Sequence, residues 1–390
     1  MVSVRQSMKY NHKIDICVGL CAIASVLTLL MFPAAAQSLS PAQARQLCFA
    51  KDNKVSDDQR MDGCTVVLRA NPSDAAALAN RGETYRRKGE SERAVADLNR
   101  ALDLDPNDAS AWYNRGIAYD DLGDRDHAIA DYSRAIRLQP GDALYYNNRG
   151  NSLIGKNDYE HAMADYDRAI KLDPKFALAY FNRGTALREH REAERALADL
   201  DMSIKLDPNY GPAYGNRARI FRDKGDRPRA LADFGKSLEL NPNNDRDAYA
   251  RANMYFDDHD YARALEDYDR AIKANASYAG VFNARCMTHA ILGQLQQALA
   301  DCEQSLRMRP NDPYALDSRA LTYLKLGNLD AAITDYDAAL SAKPELDSAL
   351  YGRGLAKRKK GDADGAERDI AAAKAINAGI VNAFAQYGVQ

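Results

Sequence analysis

Small and large apolar residues recur along this chain with a period of 34 between residues 75 and 380. Prolines at 72, 106, 140, 174, 208, 242, 310 and 344 keep the same step, and Ala276 stands where one is missing. Counted from these openers, position +22 is Ala in all nine units, +10 is Gly, Ala or Cys, and +29 is Ala or Ser. Larger residues stand beside them at +13 (Tyr85, Tyr119, Phe221, Tyr255) and +26 (Tyr132, Tyr166, Phe234, Tyr268). The steps between +6, +10 and +13, and between +22, +26 and +29, are three and four residues, which places each set on one face of a helix. Gly at +17 in six units, including Gly89, Gly123 and Gly225, marks the turn between a helix A and a helix B, and the proline breaks the chain before the next helix A. A strict period without insertion predicts an array of helix-turn-helix units, nine of them over 75–380. A degenerate capping unit at 37–74 precedes them and a short capping helix at 381–390 follows.

Residues 1–36 read as an export signal and not as part of the fold. Arg5, Lys9 and Lys13 precede an apolar run from Ile16 to Phe32, and Ala34-Ala35-Ala36 offers the small residues of a cleavage site before Gln37. A retained membrane helix is the alternative, with a run at the short end of what spans a bilayer. Leu20 before Cys21 is too large for a lipoprotein signal. Cleavage would take the net charge from −2 to −4 by removing Arg5, Lys9, Lys13 and Asp15, and an acidic chain does not offer the basic face that nucleic acid requires. It would also leave four cysteines, an even number that points to disulfides in a periplasmic or secreted protein.

The first helix of several units reads Asn-Arg-Gly, at residues 80–82, 114–116, 148–150 and 182–184. Together with the period, the small positions and the prolines, this resembles the tetratricopeptide repeat family across nearly the whole mature chain. The resemblance implies an all-α, right-handed superhelix in which helix A of each unit lines a concave groove. It also implies a protein-binding scaffold without catalytic activity or cofactor. No unit buries its apolar face alone, so such a stack shares one continuous core.

Arg occupies +9 and Asp occupies +25 in every unit. In a hairpin turning at +17, offsets that sum to 34 lie level, so the two are expected to form a bidentate ion pair tying helix A to helix B. A ladder of guanidinium groups for acidic ligands is the functional alternative. Cys48 and Cys64 fall at +10 and +26 of the degenerate unit, and Cys286 and Cys302 at +10 and +26 of a regular one. These offsets miss equal height by two residues, about 3 Å of rise, and helices packed at roughly 8–10 Å then bring the backbones within the roughly 4.4–6.8 Å that a disulfide spans. Cys48–Cys64 and Cys286–Cys302 are the expected pairs. Neither has the close spacing of a redox or metal motif.

Asn fills +8 in five consecutive units, as Asn80, Asn114, Asn148, Asn182 and Asn216, and gives way to Ala250, Ala284, Ser318 and Gly352. A carboxamide carries both donors and an acceptor, so such a row suits the backbone of an extended peptide, and related superhelices of the family use asparagines in this way. The alternative is that each Asn bonds a neighbouring helix. The family's lysine clamp for a C-terminal carboxylate is missing, since +4 and +7 carry no Lys. His127 and His161 open helices B as solvated residues, and Asp257-Asp258-His259-Asp260 reads as a turn before it reads as a metal site. The basic runs Arg86-Arg87-Lys88 and Lys357-Arg358-Lys359-Lys360 suit solvated helix C-termini. The expected function is an exported scaffold that takes a peptide segment or protein partner in its groove. A rival is an accessory subunit of an envelope polysaccharide or outer-membrane machine, docked through its outer surface.

Overall fold

The computed structural model describes residues 39–50 and 54–389, so the signal segment and its cleavage site lie outside the described residues. Among the described residues the chain forms 21 helices and no strand. The degenerate unit supplies Pro41–Cys48 and Asp57–Ala70. Each of the nine regular units, numbered 1 to 9, is a hairpin such as Ala75–Arg87 with Ser91–Leu104, or Ala143–Gly155 with Tyr159–Leu172. A short last helix, Ile380–Gln386, begins one residue before the boundary the period suggests.

Local chemistry starts and stops these helices where the period requires. Asp74, Asp108, Asp142, Asn244 and Asp312 accept from backbone N–H groups of the first turn of helices A. At +17 the backbone turns left-handed, with φ between 76° and 91° at Gly89, Gly123, Gly225, Gly293, Gly327 and Gly361. The three units without Gly adopt the same turn, at Asn157 (62°), Arg191 (63°) and His259 (60°). Hairpin closure therefore imposes the conformation even on residues that resist it. In the Asp-rich segment this makes His259 the turn residue, with its Nδ1 3.0 Å from the Tyr261 hydroxyl.

The core lies between helices A and B. Ala at +22 is fully buried in eight units and 2 % exposed in the ninth, Ala366. The glycines at +10 make room for the ring at +26, since a Cβ on Gly116 or Gly150 would stand 2.7 or 2.8 Å from the ring of Tyr132 or Tyr166. Cys286 and Cys302 occupy this same small-against-large register, with sulfurs 1.98 Å and Cα atoms 5.4 Å apart. In the degenerate unit Cys48 and Cys64 stand 2.08 Å apart at sulfur and 4.6 Å at Cα.

Arg at +9 pairs with Asp at +25 in all nine units. Nε and one terminal nitrogen donate to the two carboxylate oxygens at 2.6–2.9 Å. The aspartates are buried, so the guanidinium groups brace the hairpins and do not form a free ladder. The remaining nitrogen reaches backwards to +27 of the preceding unit. Arg115 donates to Asn99, Arg149 to Ser133, Arg183 to Asp167, Arg217 to Asp201, Arg285 to Asp269 and Arg353 to Asp337, at 2.6–3.0 Å. Each of these arginines thus joins three helices.

Arg251 in unit 6 meets Gly235 at +27, which has no side chain to accept. Another network holds that junction. Asp247, 1 % exposed, accepts from Ser237 Oγ, Asn244 Nδ2 and the Arg219 guanidinium. The basic helix ends are also tied backwards and not simply solvated. Lys88 pairs with Asp58, Lys156 with Asp126, Lys224 with Glu194 and Lys360 with Asp330, each at +20 of the unit before. These pairs are exposed and contribute little individually.

The last helix folds over the helix A face of the final units. Phe384 is buried against Tyr351, at +7 of unit 9, with ring centroids 4.8 Å apart. Lys325 of helix A in unit 8 donates to the carbonyl oxygens of Tyr387 and Ala290, both at 2.6 Å, and of Ile291 at 3.3 Å.

Candidate peptide groove

Positions +4, +7, +8 and +11 of successive helices A form the concave face, because +9 and +10 turn inward to the Asp and the aromatic ring. In units 1 to 5 this face carries the asparagine row with Tyr113, Asn147 and Phe181 at +7 and Asn151 and Thr185 at +11. All five Asn at +8 are half-buried.

Three of the five bond to the preceding helix A. Asn148 Nδ2 donates to the Tyr113 hydroxyl at 2.9 Å, Asn182 Nδ2 to Asn147 Oδ1 at 2.9 Å, and Asn216 Nδ2 to Thr185 Oγ1 at 3.1 Å. Asn147 Nδ2 in turn donates to Asn148 Oδ1 at 3.1 Å. The neighbour-bonding role weighed from sequence is therefore present at these three positions. Among the described residues the carboxamides of Asn80 and Asn114, and the Oδ1 atoms of Asn182 and Asn216, take no hydrogen bond.

Beyond the end of the row at Ala250, unit 9 excludes a carboxamide for a steric reason. The Tyr336 hydroxyl lies against Gly352 Cα, where any Cβ would collide with it. In unit 8, Ser318 turns its hydroxyl back to the Tyr314 carbonyl at 2.9 Å.

Tyr113, one of the stacking groups the sequence places at +7, packs 4.8 Å from the Tyr145 ring, and burial pushes its hydroxyl up to about 12. Other residues on this face were not singled out by the sequence. Asp120 accepts from the Tyr132 hydroxyl at 2.8 Å and from Ser152 at 2.7 Å, and burial raises its carboxyl above the usual range. Farther along, Arg188, Arg219 and Arg246 share a donor-rich hollow of about 450 Å³ with Asn216. Burial, and then the nearby Arg219 charge, lower the Arg188 guanidinium from its ordinary value, and its Nε is buried without a partner. The only sequence signal for these residues was their offset, +14 for Asp120 and Arg188 and +11 for Arg219. Among the described residues no group of three or more His, Cys, Asp or Glu is placed to hold a metal ion. No described helix is long and apolar enough to cross a membrane.

Comparison with known proteins agrees with this architecture. Models described as TPR repeat match residues 82–123 and 150–190. Models described as tetratricopeptide repeat match 109–142, 216–279, 249–313 and 288–351. No curated protein matches the chain. Among solved structures, it is similar to a MamA fragment from Desulfovibrio magneticus RS-1, at 24% identity and TM-score 0.40 over 44% of this chain and 97% of that one. It is also similar to YrrB, described as a TPR protein with an unusual peptide-binding site, at 24% identity and TM-score 0.40 over 48% and 97%. PilW, described as a type IV pilus biogenesis factor, matches at 24% identity and TM-score 0.47 over 52% and 94%. The repeat matches together cover more than half of the sequence, and the chain belongs to the tetratricopeptide repeat family.

Proposed function

We propose that this chain is a non-enzymatic interaction scaffold whose groove in units 1 to 5 binds an extended segment of a protein partner. Asn80, Asn114, Asn148, Asn182 and Asn216 supply the contacts to the partner backbone. The observation that carries this reading is the division of labour within the row. Bonds to Tyr113, Asn147 and Thr185 hold three carboxamides in line, while Asn80, Asn114 and two Oδ1 atoms keep unused donors and acceptors. A pre-aligned row lowers the ordering cost of binding, and a partner's N–H and C=O groups satisfy polar atoms that otherwise face water. We further propose that the chain is exported and cleaved after Ala36, a reading supported by the two buried disulfides, which belong to oxidising compartments.

Photo-crosslinking in intact cells tests the binding face. Benzoylphenylalanine at Ile117 or Asn151, both at +11, should capture a protein, and the same probe at the exposed Ala96 or Ala130 on helix B should not. Capture from the helix B positions alone would move the partner to the outer surface. N-terminal sequencing of this chain, purified from the same cells, should begin at Gln37, and a start at Met1 would contradict export with cleavage.

A further inference from the structure

Helices A of units 6 to 9, Tyr268 of helix B in unit 6 and the last helix line an open cavity of about 390 Å³, apart from the asparagine row. Its polar lining is dominated by hydrogen-bond acceptors. Asp317, at +7 of unit 8, accepts from Ser348 Oγ at 2.6 Å through one oxygen, and its other oxygen has no partner among the described residues. Asn283 Oδ1, at +7 of unit 7, is buried without a partner. Asp347 accepts from Asn377 Nδ2 at 2.7 Å. Behind them the Tyr336 hydroxyl, fully buried on Tyr336, is also unpartnered. In sister units this hydroxyl donates to a helix A acceptor, Asp120, Asn151 or Asn253, but Leu321 stands at +11 of unit 8.

Among the described residues no cation answers these acceptors. Lys325 is held by three carbonyl oxygens, and Lys343 donates to the Tyr314 hydroxyl at 2.6 Å. The groups facing Asp317 are Asp347 on helix A of unit 9, Tyr336 on helix B of unit 8 and Tyr387 after the last helix, and none is positive. Burial, with Asp347 adding to it, pushes the Asp317 carboxyl up to about 7. Besides Asn253 and Ser318, the rest of the wall is aromatic or apolar, with Phe256, Met287 and Tyr387 inside and the exposed Tyr314 at the edge.

We propose that this cavity binds a guanidinium group, from an arginine side chain of a partner or from a free guanidino compound. A planar fork of donors fits a carboxylate flanked by an amide oxygen, and its faces stack on aromatic rings. The chain uses the same chemistry at +9, where Arg353 pairs bidentately with Asp369 and Arg115 lies 4.6 Å over the Trp112 ring. Bound cation stabilises the ionised carboxyl, so binding strengthens as pH rises through the Asp317 titration.

Calorimetric titration of the full chain with N-acetylarginine amide and with agmatine tests this, with N-acetylcitrulline amide as the neutral control. Saturable binding of at least one guanidinium probe is expected near pH 8, about tenfold weaker near pH 5.5, where Asp317 is protonated, and absent for citrulline. Binding of the amide alone identifies a side-chain source, and binding of agmatine alone a small molecule. Asp317→Asn keeps the shape, removes a buried charge and should abolish binding. Equal binding by this variant and the parent, equal binding of citrulline, or no saturable binding would overturn the proposal. Should Asp317→Asn lose its helical circular dichroism, the pH series on the unaltered chain decides, and pH-independent binding overturns it.

Discussion

Units 1 to 5 and units 6 to 9 share one hairpin, one Arg–Asp brace and one turn, yet they present different concave faces. In the first half the face carries a row of carboxamides, partly bonded to one another. In the second half Ala, Ser and Gly replace them and the chain's own last helix lies over the final helices A, with Phe384 against Tyr351. The junction between the halves differs too, for Arg251 has no acceptor at +27 and the Asp247 network takes over. Repetition of the scaffold fixes the backbone and leaves the offsets +4, +7, +8 and +11 free to diverge. A feature kept in all nine units is therefore structural, and one confined to a block of units is a candidate for function.

The largest effect should come from the shared brace. Asp165→Ala strands the Arg149 guanidinium and should cost about 3–5 kcal/mol, read as a fall in denaturation midpoint. The same measurement sharpens the contrast between halves. Arg217→Ala also loses the bond to Asp201, whereas Arg251 has no such bond, so Arg217→Ala should be more destabilising by about 1 kcal/mol. Equal losses would mean that the backward bond contributes nothing. Next in size, Gly150→Ala forces a Cβ onto the Tyr166 ring and should cost about 1–3 kcal/mol. The reversed small-for-large pair, Gly150→Ala with Tyr166→Leu, should recover part of that loss.

Much of this was legible in the sequence, and the reason is geometric. A hairpin of known turn position converts offsets into heights, so Arg at +9 with Asp at +25 and Cys at +10 with Cys at +26 could be paired from numbers alone. Contacts between units escaped that rule because the stacking offset of one hairpin on the next is not contained in it. The alternation of Asn99, Ser133, Asp167 and Asp201 at +27 carried the signal, since all four accept hydrogen bonds. The left-handed turn at Arg191 escaped because its side chain disfavours the conformation that closure imposes, whereas the Asp-rich segment around His259 already read as a turn. Asp317 stood among the +7 residues without distinction, for its burial depends on the last helix folding back, which no period encodes.

Two smaller effects test the boundary between scaffold and site. Asn148→Ala removes the bond to Tyr113 and should cost about 1 kcal/mol of stability, whereas Asn114→Ala should cost close to nothing. Equal costs would place both in the scaffold. Arg191→Gly relieves a left-handed residue at an exposed turn and should gain up to about 1 kcal/mol, visible as a small rise in melting temperature.

The most direct test of groove binding uses the two asparagines that the fold does not need. Asn80→Ala with Asn114→Ala should leave helicity and melting unchanged, and should weaken affinity for the partner captured at Ile117 or Asn151 by at least about tenfold, since two contacts of about 1 kcal/mol exceed the 1.4 kcal/mol that a factor of ten requires. Unchanged affinity in a fully folded double variant would contradict the account and leave the asparagine row as mortar between helices.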